Sequence, residues 1–168
     1  MDIVINKPNE VSFGKSIFQA TTGLNGLGNK VKEGDNVTPV GTFSLRRVFY
    51  RPDRIQRPKT ALPIKKIDPN LCWCTDPANI NYNLLTNLPL SATHEVLWRQ
   101  DNAYDIVVPI GYNDDPVIPG RGSAIFIHVA HSDFRPTQGC IALKALDLLN
   151  ILVRCDGYTK ISIKSPII

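Results

Sequence analysis

Short apolar stretches, interrupted by Gly, Pro, Asn and Asp, follow one another along most of this chain. Stretches of this kind, rich in β-branched and aromatic residues and closed by turn-forming residues, are typical of β-strands. We expect two of them, 94–99 and 104–110, to pair as an antiparallel hairpin around a turn at 100–102. The segments predicted as strands are 3–5, 16–22, 42–50, 61–67, 94–99, 104–110, 124–127 and 160–165.

One segment follows a helical period instead. Apolar residues recur at helical spacing after Cys140 and predict a helix over about 144–154. Asp147 stands near its start, Arg154 near its end and Gly157 beyond it, whereas no capping Ser, Thr, Asp or Asn precedes it. Many short strands with one late α-helix favour a mainly β fold, a barrel or a sandwich, and 168 residues fit a single domain spanning 1–168.

The stretch from Ser123 to Leu143 carries the candidate chemistry. Its apolar run Ala124–Ile127 predicts a strand buried on both faces, and His128 follows at the strand end. A polar loop then leads to Gly139 and Cys140. A cysteine is a useful nucleophile only as thiolate, so a histidine within reach of its proton would make Cys140 reactive. The alternative is that both side chains are structural, one a buried thiol and the other a hydrogen-bonded histidine.

This stretch resembles the signature of the L,D-transpeptidase catalytic domain (YkuD-like) family, in which a histidine that closes a buried strand is followed by a loop and a Gly-Cys pair. His128 and the run Thr137-Gln138-Gly139-Cys140-Ile141 match that signature. Upstream, Thr38-Pro39-Val40-Gly41-Thr42-Phe43 is similar to the family's Thr-Pro-x-Gly-x-Phe turn. The chain departs from many members in having Thr137-Gln138 before the glycine and Ala142, rather than a basic residue, two positions after the cysteine.

The resemblance implies a fold of the L,D-transpeptidase catalytic type and a cysteine acyltransferase that acts on peptidoglycan stem peptides. Cys140 would attack the L,D bond of a tetrapeptide stem and release D-Ala through a thioester, with His128 as general base and then acid. The family implies that the backbone carbonyl of Val129 orients His128. Backbone N–H groups of Gly139 and Cys140 would hold the oxyanion.

Three functions remain open after this resemblance. Transfer of the acyl group to an amine gives an L,D-transpeptidase, and transfer to water gives an L,D-carboxypeptidase. A wall-binding module without activity is the third interpretation.

Several further side chains are candidates for substrate contacts. Arg121 could pair with a substrate carboxylate through its planar guanidinium, and Thr137, Gln138 and His131 flank the reactive pair. His131 also competes with His128 as base, but a strand end holds an imidazole more rigidly than a turn does. A metal site made of His128, His131 and Cys140 lacks a fourth ligand, so we expect neither a metal nor another cofactor.

Composition excludes other classes. The net charge of +4 is spread along the chain without a concentrated basic patch, which disfavours nucleic-acid binding, and no apolar stretch predicts a membrane span. Residues 1–8 lack the features of a signal peptide, although the family resemblance implies a periplasmic or cell-wall location. We interpret Cys72 and Cys74 as structural thiols.

The Pro-rich segment 51–83 is long for a connection inside a compact domain. Its polar and aromatic residues could line a substrate groove or pack down as a lid, and we favour the lid. These residues are Trp73, Asp76, Tyr82 and Asn83.

Overall fold

The computed structural model describes residues 1–165, which form fifteen strands and one helix. The strands are β1 Ile3–Lys7, β2 Glu10–Phe13, β3 Ser16–Thr21, β4 Leu27–Gly28, β5 Thr38–Pro39, β6 Gly41–Ser44, β7 Val48–Tyr50, β8 Ile64–Lys66, β9 Leu71–Cys74, β10 Leu85–Asn87, β11 His94–Val96, β12 Ile106–Pro109, β13 Phe126–Val129, β14 Ile141–Leu143 and β15 Lys160–Ile163. The helix α1, Ala145–Leu152, lies between β14 and β15. The fold is therefore mainly β with one late α-helix in the described residues, as the sequence predicts.

Ten strands form one curled sheet in the order β6-β15-β1-β2-β3-β14-β13-β12-β7-β8. Most neighbours are antiparallel, but β1 with β15, β13 with β14 and β7 with β8 are parallel. A three-stranded sheet, β10-β9-β11, and the short parallel pair β4-β5 complete the strands. Both of these smaller elements lie beside the central pair β13 and β14, as the contacts below show.

The strand β13 is buried on both faces because its alternate side chains enter two different hydrophobic clusters. Ile127 and Val129 join the main core, which the curled sheet and α1 enclose. Phe126 joins a second cluster, into which Trp73 of β9 packs with its ring centroid 5.2 Å from that of Phe126. The predicted burial of this strand is confirmed.

The helix α1 is shorter than the sequence predicts. It ends at Leu152, so Arg154 lies beyond its last turn and its guanidinium instead sits 4.5 Å from the ring centroid of Phe13. Asp147 is in the first turn and no side chain caps the start, both as predicted. Leu148, Ile151 and Leu152 are buried, and the helix packs against β13.

The predicted hairpin between 94–99 and 104–110 is wrong. The strand β11 pairs with β9, whereas β12 pairs with β7 and β13. Arginines satisfy the carbonyls of the intervening segment, because Arg51 donates to Arg99 O at 2.7 Å and Arg54 donates to Gln100 O at 2.9 Å. With these donors the segment forms a wide loop and needs no strand partner.

Other strand boundaries also differ from the prediction. The segment 42–50 splits into β6 and β7, which stand first and ninth in the strand order of the curled sheet. The predicted strand at 124–127 is shifted to Phe126–Val129, because Ala124 has a positive φ of 36° and donates its N–H to Asn83 Oδ1 at 2.9 Å. The strands β2, β4, β5, β9, β10 and β14 are absent from the prediction.

The three-stranded sheet forms a cover over the second hydrophobic cluster. Asn83, buried and just before β10, accepts hydrogen bonds from Trp73 Nε1 and Ala124 N, both at 2.9 Å, and donates to Asn113 O at 2.7 Å. Trp73 and Asn83 thus pack as the lid interpretation of segment 51–83 predicts, while Thr75 and Pro77 of the same segment line the cavity described below, as the groove interpretation predicts. In the part of the chain from residue 1 to 165, no helix is long and apolar enough to cross a membrane.

Candidate active site

The parallel pair β13 and β14 brings the candidate base and nucleophile to one face of the sheet. His128 lies directly opposite Ala142 in the register. Cys140 stands two residues before Ala142 and therefore shares its face, because side chains alternate along a strand. His128 and Cys140 are thus diagonal neighbours on adjacent strands, a spacing that side chains can bridge.

Gly139 makes the turn into β14 possible. Its φ of +132° belongs to a region that L-residues with a side chain rarely adopt. A Cβ at this position would lie 2.9 Å from the carbonyl oxygen of Val37. The backbone before Cys140 consequently packs directly against the segment that precedes β5, and this explains the glycine of the Gly-Cys pair.

Thr38 of the Thr-Pro-Val-Gly turn holds this backbone in place. Its hydroxyl is fully buried, donates to Gly139 O at 2.8 Å and accepts from Gly23 N at 2.8 Å. Thr137 adds a second clamp, since its hydroxyl donates to Cys140 O at 2.6 Å and accepts from Gly139 N at 3.1 Å. The two sequence motifs that resemble the family are therefore in direct contact.

A cavity of about 750 Å³ opens on the face of the sheet that carries His128 and Cys140, and both side chains line it. Tyr104 and Ala103 line it from the chain before β12, and Glu95 from β11. Its volume is in the range of small-molecule sites in proteins. The reactive pair is therefore open to a ligand.

His128 is held as a neutral imidazole. Its Nδ1 donates to the carbonyl of Val129 at 2.9 Å, which leaves Nε2 as the basic nitrogen. Burial lowers the pKa of His128 to about 4, an effect that the Val129 bond opposes and the charge of Arg99 reinforces. The contact expected between the Val129 carbonyl and His128 is present.

Cys140 is held as a thiol. Its Sγ donates to Ala124 O at 3.4 Å and accepts from Phe126 N at 3.4 Å. Burial raises the pKa of Cys140 to about 12, and the nearby Glu95 charge acts in the same direction. The sulfur makes no hydrogen bond to His128 among the described residues, so proton transfer requires the thiol to turn towards the imidazole.

Comparison with known families assigns this chain to a protein family. The family model of the YkuD L,D-transpeptidase catalytic domain matches residues 2–163, nearly the whole chain. The chain belongs to the L,D-transpeptidase catalytic domain family. No curated protein and no solved structure matches it. Members of this family are typically enzymes that act on peptidoglycan and are usually associated with the cell wall.

The other residues predicted for this L,D-transpeptidase domain fall into two groups. Thr137, Gln138 and His131 line the cavity. Arg121 does not line it, and the backbone carbonyl of Arg121 accepts from the Tyr112 hydroxyl at 2.6 Å. The guanidinium that does reach the cavity beside His131 is that of Arg135, whose Nη2 lies 3.0 Å from His131 Nε2.

The two backbone donors predicted for the oxyanion differ in availability. The Gly139 N–H already donates to Thr137 Oγ1 at 3.1 Å. The Cys140 N–H has no such side-chain partner, and outside the strand ladders of residues 1–165 it makes no hydrogen bond. An oxyanion held by both donors would therefore displace the Thr137 hydroxyl from Gly139.

Sequence reasoning missed a charged group on the far side of the cavity. Glu95 accepts a hydrogen bond from the Tyr104 hydroxyl, and the Tyr104 ring meets the His128 ring edge-on with centroids 5.4 Å apart. Arg99 lies 5.0 Å from the Tyr104 ring centroid. A wide loop joins Glu95 to Tyr104, so no motif spacing signals their contact. In the described chain, no group of three or more His, Cys, Asp and Glu is arranged to hold a metal ion.

Proposed function

We propose that this protein is a peptidoglycan L,D-transpeptidase, a cysteine acyltransferase that works through a thioester on Cys140. The observation that carries the proposal is that Cys140 and His128 share one sheet face and line one cavity of about 750 Å³. Membership of the L,D-transpeptidase catalytic domain family supports the substrate class. The proposed substrate is a tetrapeptide stem that ends in D-Ala.

Acylation begins from the neutral pair. The Cys140 proton passes to Nε2 of His128 as the sulfur attacks the carbonyl of the L,D bond, because the thiol alone is a poor nucleophile. The Cys140 N–H, together with Gly139 when Thr137 releases it, stabilises the oxyanion. The C–N bond then breaks, His128 returns the proton to the departing nitrogen, and D-Ala leaves with the acyl group held as a thioester.

The neutral state of Cys140 and His128 suits a site that reacts only when substrate is bound. The pKa of Cys140 is about 12 and that of His128 is about 4. At neutral pH they are therefore a thiol and a neutral imidazole and form no stable ion pair. Substrate that enters the cavity supplies the polar surroundings and the electrophile that make proton transfer favourable. In this account transfer accompanies attack and does not precede it.

The thioester has two fates. Attack by an amine of a neighbouring stem forms a cross-link, which is the transpeptidase reaction. Attack by water releases a tripeptide, which is the L,D-carboxypeptidase reaction and the second candidate activity. Peptidoglycan lies outside the cytoplasmic membrane, so this proposal places the working protein in the periplasm or at the cell wall.

Incubation with a defined disaccharide-tetrapeptide tests the function. Mass spectrometry of the products distinguishes cross-linked dimer, tripeptide and untouched substrate, which indicate a transpeptidase, a carboxypeptidase and an inactive module respectively. His128→Ala should abolish turnover, whereas His131→Ala should keep most of it. The reverse pattern would make His131 the base.

Covalent labelling separates an enzyme from a wall-binding module. A carbapenem should acylate Cys140 and raise the mass of the intact protein, because its strained carbonyl accepts the same attack. Cys140→Ala should remove the adduct. An unlabelled wild-type protein would favour the module.

A further inference from the structure

Glu95 stands where two open spaces meet. It lines the cavity that contains Cys140, and it also lines a neighbouring open cleft of about 470 Å³. His94 and Arg99 are shared between the two spaces in the same way. A second molecule bound in the cleft would therefore contact residues that also line the cavity of the thiol.

Two of the three Lys and Arg side chains that line the cavity are in salt bridges, whereas this carboxylate is in none within residues 1–165. Lys30 pairs with Asp35 at 2.5 Å, and Arg99 binds Asp101 through two nitrogens at 2.8 and 2.6 Å. Glu95 makes its hydrogen bond with the Tyr104 hydroxyl and forms no salt bridge within residues 1–165. A largely desolvated carboxylate without a cation gains from any cation that arrives.

The electrostatic surroundings of Glu95 suit a carboxylate that binds a cation and accepts a proton from it. Burial raises the pKa of Glu95, and the Tyr104 hydrogen bond and the positive charge of Arg99 oppose this effect. The negative charge of Glu33 adds to the rise. The carboxylate is therefore more basic than an ordinary glutamate, which suits proton removal from a bound group.

Glu95 is also connected to the reacting atoms. The Tyr104 ring packs edge-on against His128 at 5.4 Å and against Phe126 at 5.8 Å between centroids. The backbone N–H of Phe126 in turn donates to Cys140 Sγ at 3.4 Å. Tyr104 thus fixes the carboxylate beside the pair that forms and breaks the thioester.

The second half-reaction needs such a group. An acceptor amine reaches the protein as an ammonium ion, which has no lone pair and cannot attack a thioester. His128 carries the later proton from the nitrogen to the sulfur as the thioester breaks. A second base beside the pair would generate the amine and leave His128 free for that transfer.

We propose that Glu95 binds the ammonium group of the acyl acceptor and takes its first proton. This inference rests on the proposed L,D-transpeptidase function and assigns the acceptor side of the same site. The acceptor class is a primary ammonium that enters through the cleft shared by Glu95 and Arg99. Glu95 then favours transfer over hydrolysis, because it concentrates the amine where water would otherwise attack.

The proton balance of the step is complete. The ammonium gives one proton to the Glu95 carboxylate, and the free amine attacks the thioester carbonyl. A second proton passes from the new C–N centre to His128 and then to the sulfur as the C–S bond breaks. The third remains on the amide nitrogen, Cys140 returns as a thiol, and Glu95 releases its proton to solvent.

Glu95→Gln is the decisive variant, tested with a disaccharide-tetrapeptide as donor and acceptor. The first-turnover burst of D-Ala should persist, since acylation uses Cys140 and His128. The ratio of cross-linked dimer to tripeptide should fall at least about a hundredfold, the lower end of the contribution of a general base. Hydroxylamine, which is uncharged at neutral pH, should still cleave the thioester of the variant at the wild-type rate.

Glu33→Gln is the matched control. Glu33 lines the same cavity, but its carboxylate accepts from the Tyr82 hydroxyl at 2.6 Å and the Ser123 hydroxyl at 2.9 Å. The same chemical change at this position removes only the minor contribution of Glu33 to the pKa of Glu95, so it should lower the ratio of dimer to tripeptide far less than Glu95→Gln does. A large fall in the ratio that appears only in the Glu95 variant supports the assignment.

Three outcomes would overturn the inference. An unchanged ratio of dimer to tripeptide in Glu95→Gln would do so, as would an equal loss of transfer to hydroxylamine. The wild-type protein gives an independent answer if the variant does not fold: an ammonium-bearing acceptor should outcompete equimolar hydroxylamine, and the opposite preference would exclude the role. Absence of the D-Ala burst in wild-type protein would instead contradict the proposed function itself.

Discussion

At the scale of single residues, the structure separates the position of the nucleophile from its activation. Cys140 and His128 face the same cavity, yet the sulfur bonds to Ala124 O and Phe126 N. The surroundings of both groups disfavour charge, because burial dominates the pKa of each. In the proposed reaction the protein alone therefore supplies placement, and the substrate completes the activation.

The alkylation rate of Cys140 should report this neutral state. Iodoacetamide reacts with thiolate, and a thiol whose pKa is about 12 carries very little of it at neutral pH. The rate should therefore be slow and rise about tenfold per pH unit through the alkaline range. Peptide mapping by mass spectrometry follows Cys140 separately from the three buried cysteines, with Cys140→Ser as the blank. An alkylation rate of Cys140 that stays constant from weakly acidic to neutral pH would indicate a preformed thiolate–imidazolium pair.

The sequence predicts where the candidate catalytic residues lie better than it predicts their electrostatic surroundings. His128, Cys140 and the Val129 carbonyl follow from a local motif, since two parallel strands joined by one loop determine where they lie. Glu95 and Tyr104 meet across a wide loop held by arginines, a contact that no short-range pattern encodes. Arg121 shows the opposite case, a plausible residue type that the fold directs away from the cavity.

At the scale of elements, the short strand β5 supports the nucleophile. The Thr38 hydroxyl joins Gly23 N on one side to Gly139 O on the other, both at 2.8 Å. The turn therefore fixes the residue before Cys140 although it lies about a hundred positions away in sequence. A turn that served only to reverse the chain would not need a buried bridging hydroxyl.

Thr38→Val should test this support. Valine keeps the shape of threonine but leaves a buried N–H and a buried carbonyl unpaired, at a cost of about 1–3 kcal/mol for each group. The urea midpoint should fall and carbapenem acylation of Cys140 should slow. Thr42→Val is the control, because its exposed hydroxyl makes only a 3.4 Å bond to Ser162 Oγ, and it should change stability by less than about 0.5 kcal/mol. Equal effects of the two substitutions would contradict the supporting role.

The alternation of apolar and polar residues predicts strands well where a segment remains in the curled sheet without turning a corner. Segments 3–5, 16–22 and 160–165 are such cases, and β1, β3 and β15 lie within or around them. The pattern fails where the chain turns a corner of the curled sheet, as at Leu45, whose bridge to Ile110 separates β6 from β7. Long-range pairing and side-chain donors decide these places, and neither is visible in local periodicity.

At the scale of the whole molecule, a small sheet covers one side of the cavity and the curled sheet builds the other. Asn83 joins these parts through hydrogen bonds to Trp73, Ala124, Asn113 and Tyr112. Its positive φ of 57° is one that asparagine tolerates better than most residues. The cover carries Glu95, so its position determines where that carboxylate lies in the cavity.

Asn83→Ala should loosen this cover. Hydrogen exchange should accelerate in β9, β10 and β11 while β1 and β15 keep their protection, because only the joint between the two parts is lost. Asn36→Ala is the matched control, since Asn36 has a similar positive φ of 56° and its side chain makes no hydrogen bond among the described residues. Exchange that rises evenly through the whole chain would argue against a separate cover.

The central claim is that Cys140 carries the acyl group after His128 accepts its proton. Acid-quenched intact-protein mass spectrometry, taken in the first turnover with a disaccharide-tetrapeptide, tests it most directly. The account predicts an adduct equal to the donor without D-Ala, mapped to Cys140, absent in Cys140→Ala and formed far more slowly in His128→Gln. Consumption of the tetrapeptide with no adduct in the wild-type protein, or an adduct that survives in Cys140→Ala, would contradict it.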